Sequence, residues 1–314
     1  MLTNASRRSF LQMGLTAAGA ALTPRWLSAQ PLLAAAQDDP SAVPVKSTKL
    51  ADNLYLLQGV GGNMALQTGP DGLLLIDASY AAAVPRIREA IAALAPAAPN
   101  APSLLINTHW HGDHTGGNEG LHAAGFSILA HRQTRDRLSH TQEMKLFHRT
   151  VPPSPVGALP TQVFDSTLTL YRNSDTLDLA HFAPAHTDSD ISIHFTQSNV
   201  LHLGDIWFNG MYPFIDEGTG GNIDGMIAGS KQALELADST TKIIPGHGPL
   251  GAKSDLAAYY EMLSTVREKV AALKKQGLSE QEAAAKKPTA EFDTQWGKGF
   301  MSADVFTGIV YRTV

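Results

Sequence analysis

The sequence predicts an α/β protein in which two β-sheets lie face to face with helices outside. The strand-like segments arrive in two batches, an amphipathic helical segment accompanies each batch, and one strand run, Leu73-Leu74-Leu75-Ile76, is apolar throughout, as burial on both faces requires.

The first batch begins at Asn53, with Leu54-Tyr55-Leu56-Leu57, Met64-Ala65-Leu66 and Leu73 to Ile76. Gly-rich turns at 59–62 and 69–72 separate these strands and predict an antiparallel meander. Ala81 to Leu94 carries Val84, Ile87, Ile91 and Leu94 at helical spacing and stops in the Pro/Ala-rich stretch 96–102. After the apolar run Leu104-Leu105-Ile106 come a short strand, Phe126 to Ala130, and a helix expected over Gln133 to Phe147, ended by Pro152-Pro153-Ser154-Pro155. The second batch comprises Leu168-Thr169-Leu170, Leu177 to Phe182, Ile191 to Phe195 and Val200 to Leu203. Helices are expected over Ile223 to Ala237 and Leu256 to Leu273, with a short strand, Lys242-Ile243-Ile244, between them. Beyond Lys287 the sequence reads as irregular. Its Trp296, Phe300, Phe306, Val310 and Tyr311 are too apolar for a free tail, so it is expected to dock on the body.

Composition narrows the chemistry. The formal net charge of −5 leaves no electrostatic footprint for nucleic acid. With no cysteine, disulfides, thiolate nucleophiles and thiolate metal sites are excluded. At the start, Ser6-Arg7-Arg8-Ser9-Phe10-Leu11 precedes an apolar stretch to Leu22, and Ala34-Ala35-Ala36 follows as a cleavage candidate. This is the layout of a twin-arginine export signal. Residues 1–36 are therefore expected to leave the mature protein, with 37–52 as a linker, giving a periplasmic or secreted product without a stable membrane span. Cleavage would remove Arg7, Arg8 and Arg25 and no acid, taking the charge from −5 to −5 − 3 = −8.

The chemistry concentrates in Thr108-His109-Trp110-His111-Gly112-Asp113-His114-Thr115-Gly116-Gly117. Three imidazoles and a carboxylate stand in six positions directly after an apolar strand, which points to metal ligation. Alternation along an extended segment lets His109 and His111 share one ion, while a turn at Gly112 directs Asp113 and His114 elsewhere. His186 in Pro184-Ala185-His186-Thr187-Asp188, Asp205 in Leu203-Gly204-Asp205 and His247 in Pro245-Gly246-His247-Gly248 each follow a strand, where loops of layered α/β folds converge. No G-x-S-x-G or Walker A motif occurs.

In this order and spacing, these motifs resemble the metallo-β-lactamase superfamily over most of the chain after the leader. The resemblance implies a four-layer αβ/βα sandwich spanning 53–288, two mixed sheets with helices outside, and 289–314 as the docked tail. It also implies two Zn²⁺ ions, with Fe or Mn as other possible occupants. His109, His111 and His186 would hold the first ion, Asp113, His114 and His247 the second, and Asp205 would bridge them. Asp77 would brace the ligand loop. A hydroxide shared by two cations would be the nucleophile, with Asp113 orienting it or moving a proton.

The aspartate at 205, where secreted β-lactamases of the superfamily carry Cys or Ser, directs the resemblance toward hydrolases of an ester, lactone, thioester or amide, β-lactams included, with a small-molecule substrate. A mononuclear iron dioxygenase acting on persulfides and a non-catalytic metal-binding scaffold are the alternatives. The oligomeric state is not indicated. Gly61, Gly62, Asn63, Trp110, Met144, Phe147, Asn209 and Tyr212 are the expected substrate-pocket positions.

Overall fold

The computed structural model describes residue 39, residues 41–95 and residues 101–314. The expected export signal, and the helix stop at 96–100, lie outside the described residues. The chain opens with β1 (Lys46–Lys49), β2 (Leu54–Gln58), β3 (Met64–Gln67) and β4 (Leu74–Ile76), an antiparallel run. Helix α1 (Val84–Leu94) leads to β5 (Ser103–Asn107), and the short helices α2 (Gly112–Thr115) and α3 (Asn118–Ala123) lead to β6 (Phe126–His131). Helix α4 (Arg132–Ser139) is followed by the hairpin β7 (Gln142–Met144) and β8 (Arg149–Val151), then by β9 (Gln162–Phe164). Strands β10 (Thr167–Arg172), β11 (Asp175–His181), β12 (Ile191–Phe195) and β13 (Val200–His202) lead through α5 (Ile223–Leu236) to β14 (Lys242–Ile244). The chain closes with α6 (Lys253–Lys275), α7 (Glu280–Ala285), α8 (Asp293–Trp296) and α9 (Ala303–Thr313).

The strands form a seven-stranded sheet, β1-β2-β3-β4-β5-β6-β9, and a five-stranded sheet, β10-β11-β12-β13-β14. Both are mixed: β4-β5-β6-β9 and β13-β14 pair in parallel and the remaining neighbours antiparallel. Because side chains alternate along a strand, one strand feeds two cores. Leu74, Ile76, Leu104 and Ile106 meet Leu179, Ile191, Ile193 and Ile244 of the other sheet. Their neighbours Leu75 and Leu105 instead pack beneath Ile87 and Ile91 of α1. The outer face of the second sheet, with Leu201 and Ile243, is covered by Leu256, Tyr259, Leu263 and Val266 of α6 and Phe306, Ile309 and Val310 of α9. The result is a four-layer αβ/βα sandwich. Fully burying each such Leu, Ile or Phe contributes about 1.5–3 kcal/mol.

Caps fix the outer helices in register. Asn222 Oδ1 accepts the Gly225 N–H at 2.7 Å to start α5, and Asp255 accepts the Ala252 N–H at 2.9 Å at the start of α6. Lys274 and Lys275 lie in the last turn of α6, where cations complement the helix dipole.

Three segments differ from the sequence expectations. The linker expected over 37–52 contains β1, which pairs with β2 in the first sheet. The helix expected over Gln133 to Phe147 ends at Ser139, because the Gln142 side chain turns back to the Arg137 and His140 carbonyls and the chain leaves as a hairpin. The tail expected to be irregular contains α8 and α9, with Trp296, Phe306, Ile309 and Val310 in the core.

Candidate metal centre

All the candidate ligands stand past the C-terminal ends of strands. His109, His111, Asp113 and His114 follow β5, His186 follows β11, Asp205 follows β13 and His247 follows β14. The fold brings them together in two groups, His109, His111, His186 and Asp205, then Asp113, His114 and His247, each with potential ligand atoms within 4.8 Å of one another. Asp205 touches both. Its Oδ2 lies 3.3 Å from His186 Nε2 and 3.5 Å from His247 Nε2, and its Oδ1 lies 3.2 Å from His114 Nε2.

The imidazoles are oriented from behind. Asp77, just past β4, accepts the Thr108 N–H and the Thr108 Oγ1–H, both at 2.8 Å, and His114 Nδ1 at 2.8 Å. Since Thr108 Oγ1 donates to Asp77, it accepts from His109 Nδ1 at 3.1 Å. His186 Nδ1 donates to the Phe214 carbonyl at 2.8 Å, and His111 Nε2 donates to Asp216 Oδ2 at 3.1 Å. Each bond commits one ring nitrogen outward and turns the other toward the centre, and on His109 and His186, which burial keeps neutral, that inner nitrogen is a lone pair.

These inner nitrogens test whether the residues fit a metal. His186 Nε2 and His111 Nδ1 face each other at 2.8 Å, both turned into the centre by the bonds that their other ring nitrogens make to the Phe214 carbonyl and Asp216. His109 Nε2 is buried without a hydrogen-bond partner. Nitrogen and oxygen donors converging in this way suit Zn²⁺, Fe²⁺ or Mn²⁺.

Electrostatics separate the two groups. Burial holds the His109 imidazolium far below its usual range and brings His186 down to about 4, so both rings are neutral ligands at pH 7. Burial would also depress His114 and His247, but Asp205 and Asp113 outweigh it, raising His114 well above its usual value and His247 to about 9. Burial would raise the carboxyls of Asp205 and Asp113, yet the surrounding imidazoles hold both below the ordinary carboxylate range.

The expected pocket positions divide. Gly62 lies against a ligand: its N–H donates to the Asp113 carbonyl at 3.0 Å, and a Cβ there would stand 2.1 Å from His114 Cε1. Gly61, at φ +75°, adopts a backbone that favours glycine and would place a Cβ 2.8 Å from the same carbonyl. Asn63 is buried and ties down the His247 loop, donating from Nδ2 to the Pro245 and Gly248 carbonyls and from its N–H to Gly246. Asn209 secures that loop from the other side, through its N–H to the His247 carbonyl and Nδ2 to Pro249. Phe147 stacks 4.9 Å from Phe214, which in turn stacks 5.6 Å from His111, so Phe147 is one ring removed from a ligand. Met144 is half-buried against the outer core beside it.

Tyr212 is corrected as a pocket residue, whereas the Trp110 ring packs edge-on 4.6 Å from His111. Trp110 is buried, with Nε1 donating to Thr219 Oγ1. Tyr212 is fully buried, stacked 4.8 Å from Phe306, with its hydroxyl donating to Asp293 Oδ1 at 2.8 Å. Between Asn209, whose N–H donates to the His247 carbonyl, and Tyr212, whose N–H donates to the Trp296 carbonyl, the chain turns at Gly210 with φ +79°.

Sequence reasoning missed Asp216, Thr108 and Asp190. Asp190 accepts the Thr187 N–H at 2.8 Å and Thr187 Oγ1 at 2.7 Å, stiffening the loop that carries His186, and burial raises its carboxyl to about 7. Asp216 carried a signal only as an Asp before Glu-Gly, which reads as a turn.

The fold and the donor set define a class, an αβ/βα sandwich with a His- and Asp-built metal centre at the strand ends between its two sheets. The family model described as the Metallo-beta-lactamase superfamily matches residues 57–247, and the chain belongs to that superfamily. The chain is 33% identical over 146 residues to the hydroxyacylglutathione hydrolase of Nitrosococcus oceani, a stretch covering 46% of this chain and 47% of that protein. The chain thus spans about half the length of this relative. It is 24% identical over 208 residues to the human acyl-coenzyme A thioesterase MBLAC2, covering 62% of this chain and 72% of that protein. In structure it is similar to the metallo-beta-lactamase from Pontibacter korlensis, with a TM-score of 0.58 at 16% identity over 70% of this chain and 99% of that one, a likeness of fold.

Proposed function

We propose that this chain is an exported dinuclear zinc hydrolase acting on an ester, lactone, thioester or amide carbonyl. The observation that carries the reading is the convergence of His109 Nε2, buried without a hydrogen-bond partner, with the inward-facing ring nitrogens of His111 and His186 and the Asp205 carboxylate. His109, His111 and His186 would hold one ion and Asp113, His114 and His247 the other, with Asp205 able to serve both. When bound, divalent cations supply Lewis acidity toward a carbonyl oxygen and acidify water, so hydrolysis proceeds near neutral pH without a Ser or Cys nucleophile. The chain's own residues do the positioning. Asp77, Thr108, Asp216 and the Phe214 carbonyl fix the orientation of four imidazoles in advance, removing reorganisation from the reaction. Asp113 is partly exposed, its Oδ2 lying 3.2 Å from His247 Nε2, and its depressed carboxyl suits it to orient a water by accepting a hydrogen bond.

Zinc is favoured by the donor set, which lacks sulfur and is rich in imidazole. Thioesters rank high among substrates because the curated relatives are named for hydrolysing them. Export rests on Arg7-Arg8 ahead of an apolar stretch. The test is metal analysis of the purified protein with a screen of esters, lactones, thioesters and β-lactams. About two equivalents of zinc and turnover abolished in His111→Ala are expected. Substoichiometric metal, or full turnover in that variant, would remove the reading. N-terminal sequencing of the exported protein checks the leader, and an intact Met1 would exclude cleavage.

A further inference from the structure

The family match ends at residue 247, yet α9, near residue 312, reaches back to the loop that carries Asp216, the partner of His111. Arg312 on α9 forms a fork with Glu217, from Nε to Oε1 and Oε2 at 3.0 Å each and from Nη2 to Oε1 at 2.7 Å, while its Nη1 reaches Glu280 Oε1 at 2.5 Å. Glu217 is the first residue of the 3₁₀ turn Glu217–Thr219, whose cap is Asp216. Asp216 Oδ1 accepts the Gly218 N–H at 3.1 Å, and its Oδ2 accepts both Thr219 Oγ1 at 2.7 Å and His111 Nε2 at 3.1 Å. Next along α9, Thr313 Oγ1 accepts the Ile223 N–H, so the helix holds the loop at both ends.

We propose that Arg312 is a positioning residue for the metal centre: by clamping Glu217 it fixes the 216–222 loop so that Asp216 holds His111 with Nδ1 turned inward. This rests on the metal-binding reading above. A forked, half-buried guanidinium–carboxylate pair sets geometry as well as attraction, and its neighbour in sequence is the carboxylate that selects the His111 tautomer. A partly exposed ion pair adds little to global stability. Its effect is therefore expected at His111 more than in the melting temperature.

The test compares Arg312→Ala, Arg312→Lys and Glu280→Gln in the full chain. Glu280→Gln removes the other ion pair of Arg312 and leaves the Glu217 fork intact. Co²⁺ affinity is measured by chelator competition, and the His111 ring by ¹⁵N NMR of metal-free protein. Arg312→Ala should weaken one of the two Co²⁺ sites about 5-fold, below the ~10–100-fold typical of a direct outer partner, and should mix the His111 tautomers. Arg312→Lys should recover part of this, and Glu280→Gln should match the wild type. If Arg312→Ala leaves the tautomer and both affinities unchanged, or if Glu280→Gln has the same effect as Arg312→Ala, the positioning role is wrong. If the wild type binds no Co²⁺, the metal reading fails, and the NMR comparison still decides whether Arg312 sets the His111 ring.

Discussion

The two halves of the metal centre use different chemistry. His109, His111 and His186 are at most 4% exposed, and burial holds the His109 and His186 rings neutral. Asp113 and His247, with side chains 22% and 19% exposed, stand at the opening, where carboxylates hold protons on His114 and His247. In the first half His109 and His186 are ready at neutral pH. In the second, a cation must displace protons from His114 and His247 to bind, so its occupancy is coupled to pH there.

The strongest way to break this contrast is Asp205→Ala, since among the described residues Asp205 is the carboxylate in contact with imidazoles of both groups. Hydrolysis and binding of both ions are expected to fall by more than the ~100-fold that loss of an outer partner costs, read by metal stoichiometry and turnover. Retention of either ion at wild-type affinity would show the halves to be independent. Gly62→Ala strikes the second half alone, because its Cβ would stand 2.1 Å from His114 Cε1. One ion should be lost or weakened by roughly 10–100-fold, with the other unchanged in a stepwise titration.

The pH dependence sharpens the same contrast. In metal-free protein, His247 keeps its proton below about 9, so affinity of the second group should fall at least about tenfold per unit as pH drops from 9 toward 7, and more steeply where the proton on His114 must also leave. In the first group, His186 stops being a ligand as pH approaches 4, where it gains a proton. Stability of the metal-free protein follows the matching signs. The contribution of His247, whose folded value is raised, is present below pH 6.5 and is lost as pH rises toward 9. His186, whose folded value is lowered, costs stability as pH falls from 6.5 toward 4. Denaturant titrations across pH 4 to 9 should therefore show a maximum near the middle. The smallest effect is expected from Tyr212→Phe, which removes a hydrogen bond in the outer core. Stability should drop by about 1 kcal/mol, seen in urea unfolding, with KM unchanged; an altered KM would return Tyr212 to the pocket.

Much of this was legible in sequence where the signal was local. The ligand loop showed itself because four donors follow an apolar strand within six residues, and the strand alternation of Leu74 to Ile76 and Leu104 to Ile106 reported burial on two faces. Asp216 was not legible, because its contact with His111 spans 105 residues and depends on how a loop is hung. The β7–β8 hairpin read as helix because Leu138, Met144 and Phe147 are apolar at spacings compatible with one face. Packing of Phe147 on Phe214 and the Gln142 side-chain bonds overrode that local preference. Helix α9 was hidden because Gly297, Gly299 and Gly308 make its neighbourhood look irregular, whereas Ser302 caps it and its apolar face supplies the fold.

Strand β1 escaped for the opposite reason. All four residues of Lys46-Ser47-Thr48-Lys49 are exposed, so no hydrophobic pattern marks the strand. It nevertheless forms the outer edge of the seven-stranded sheet, with Lys49 paired opposite Tyr55 and Lys46 opposite Gln58. An open edge is a template for pairing with another chain, and lysines placed there oppose that pairing. Without β1, the apolar Leu54–Gln58 strand would become the edge. The segment that looked like a linker thus serves as the sheet's guard against self-assembly.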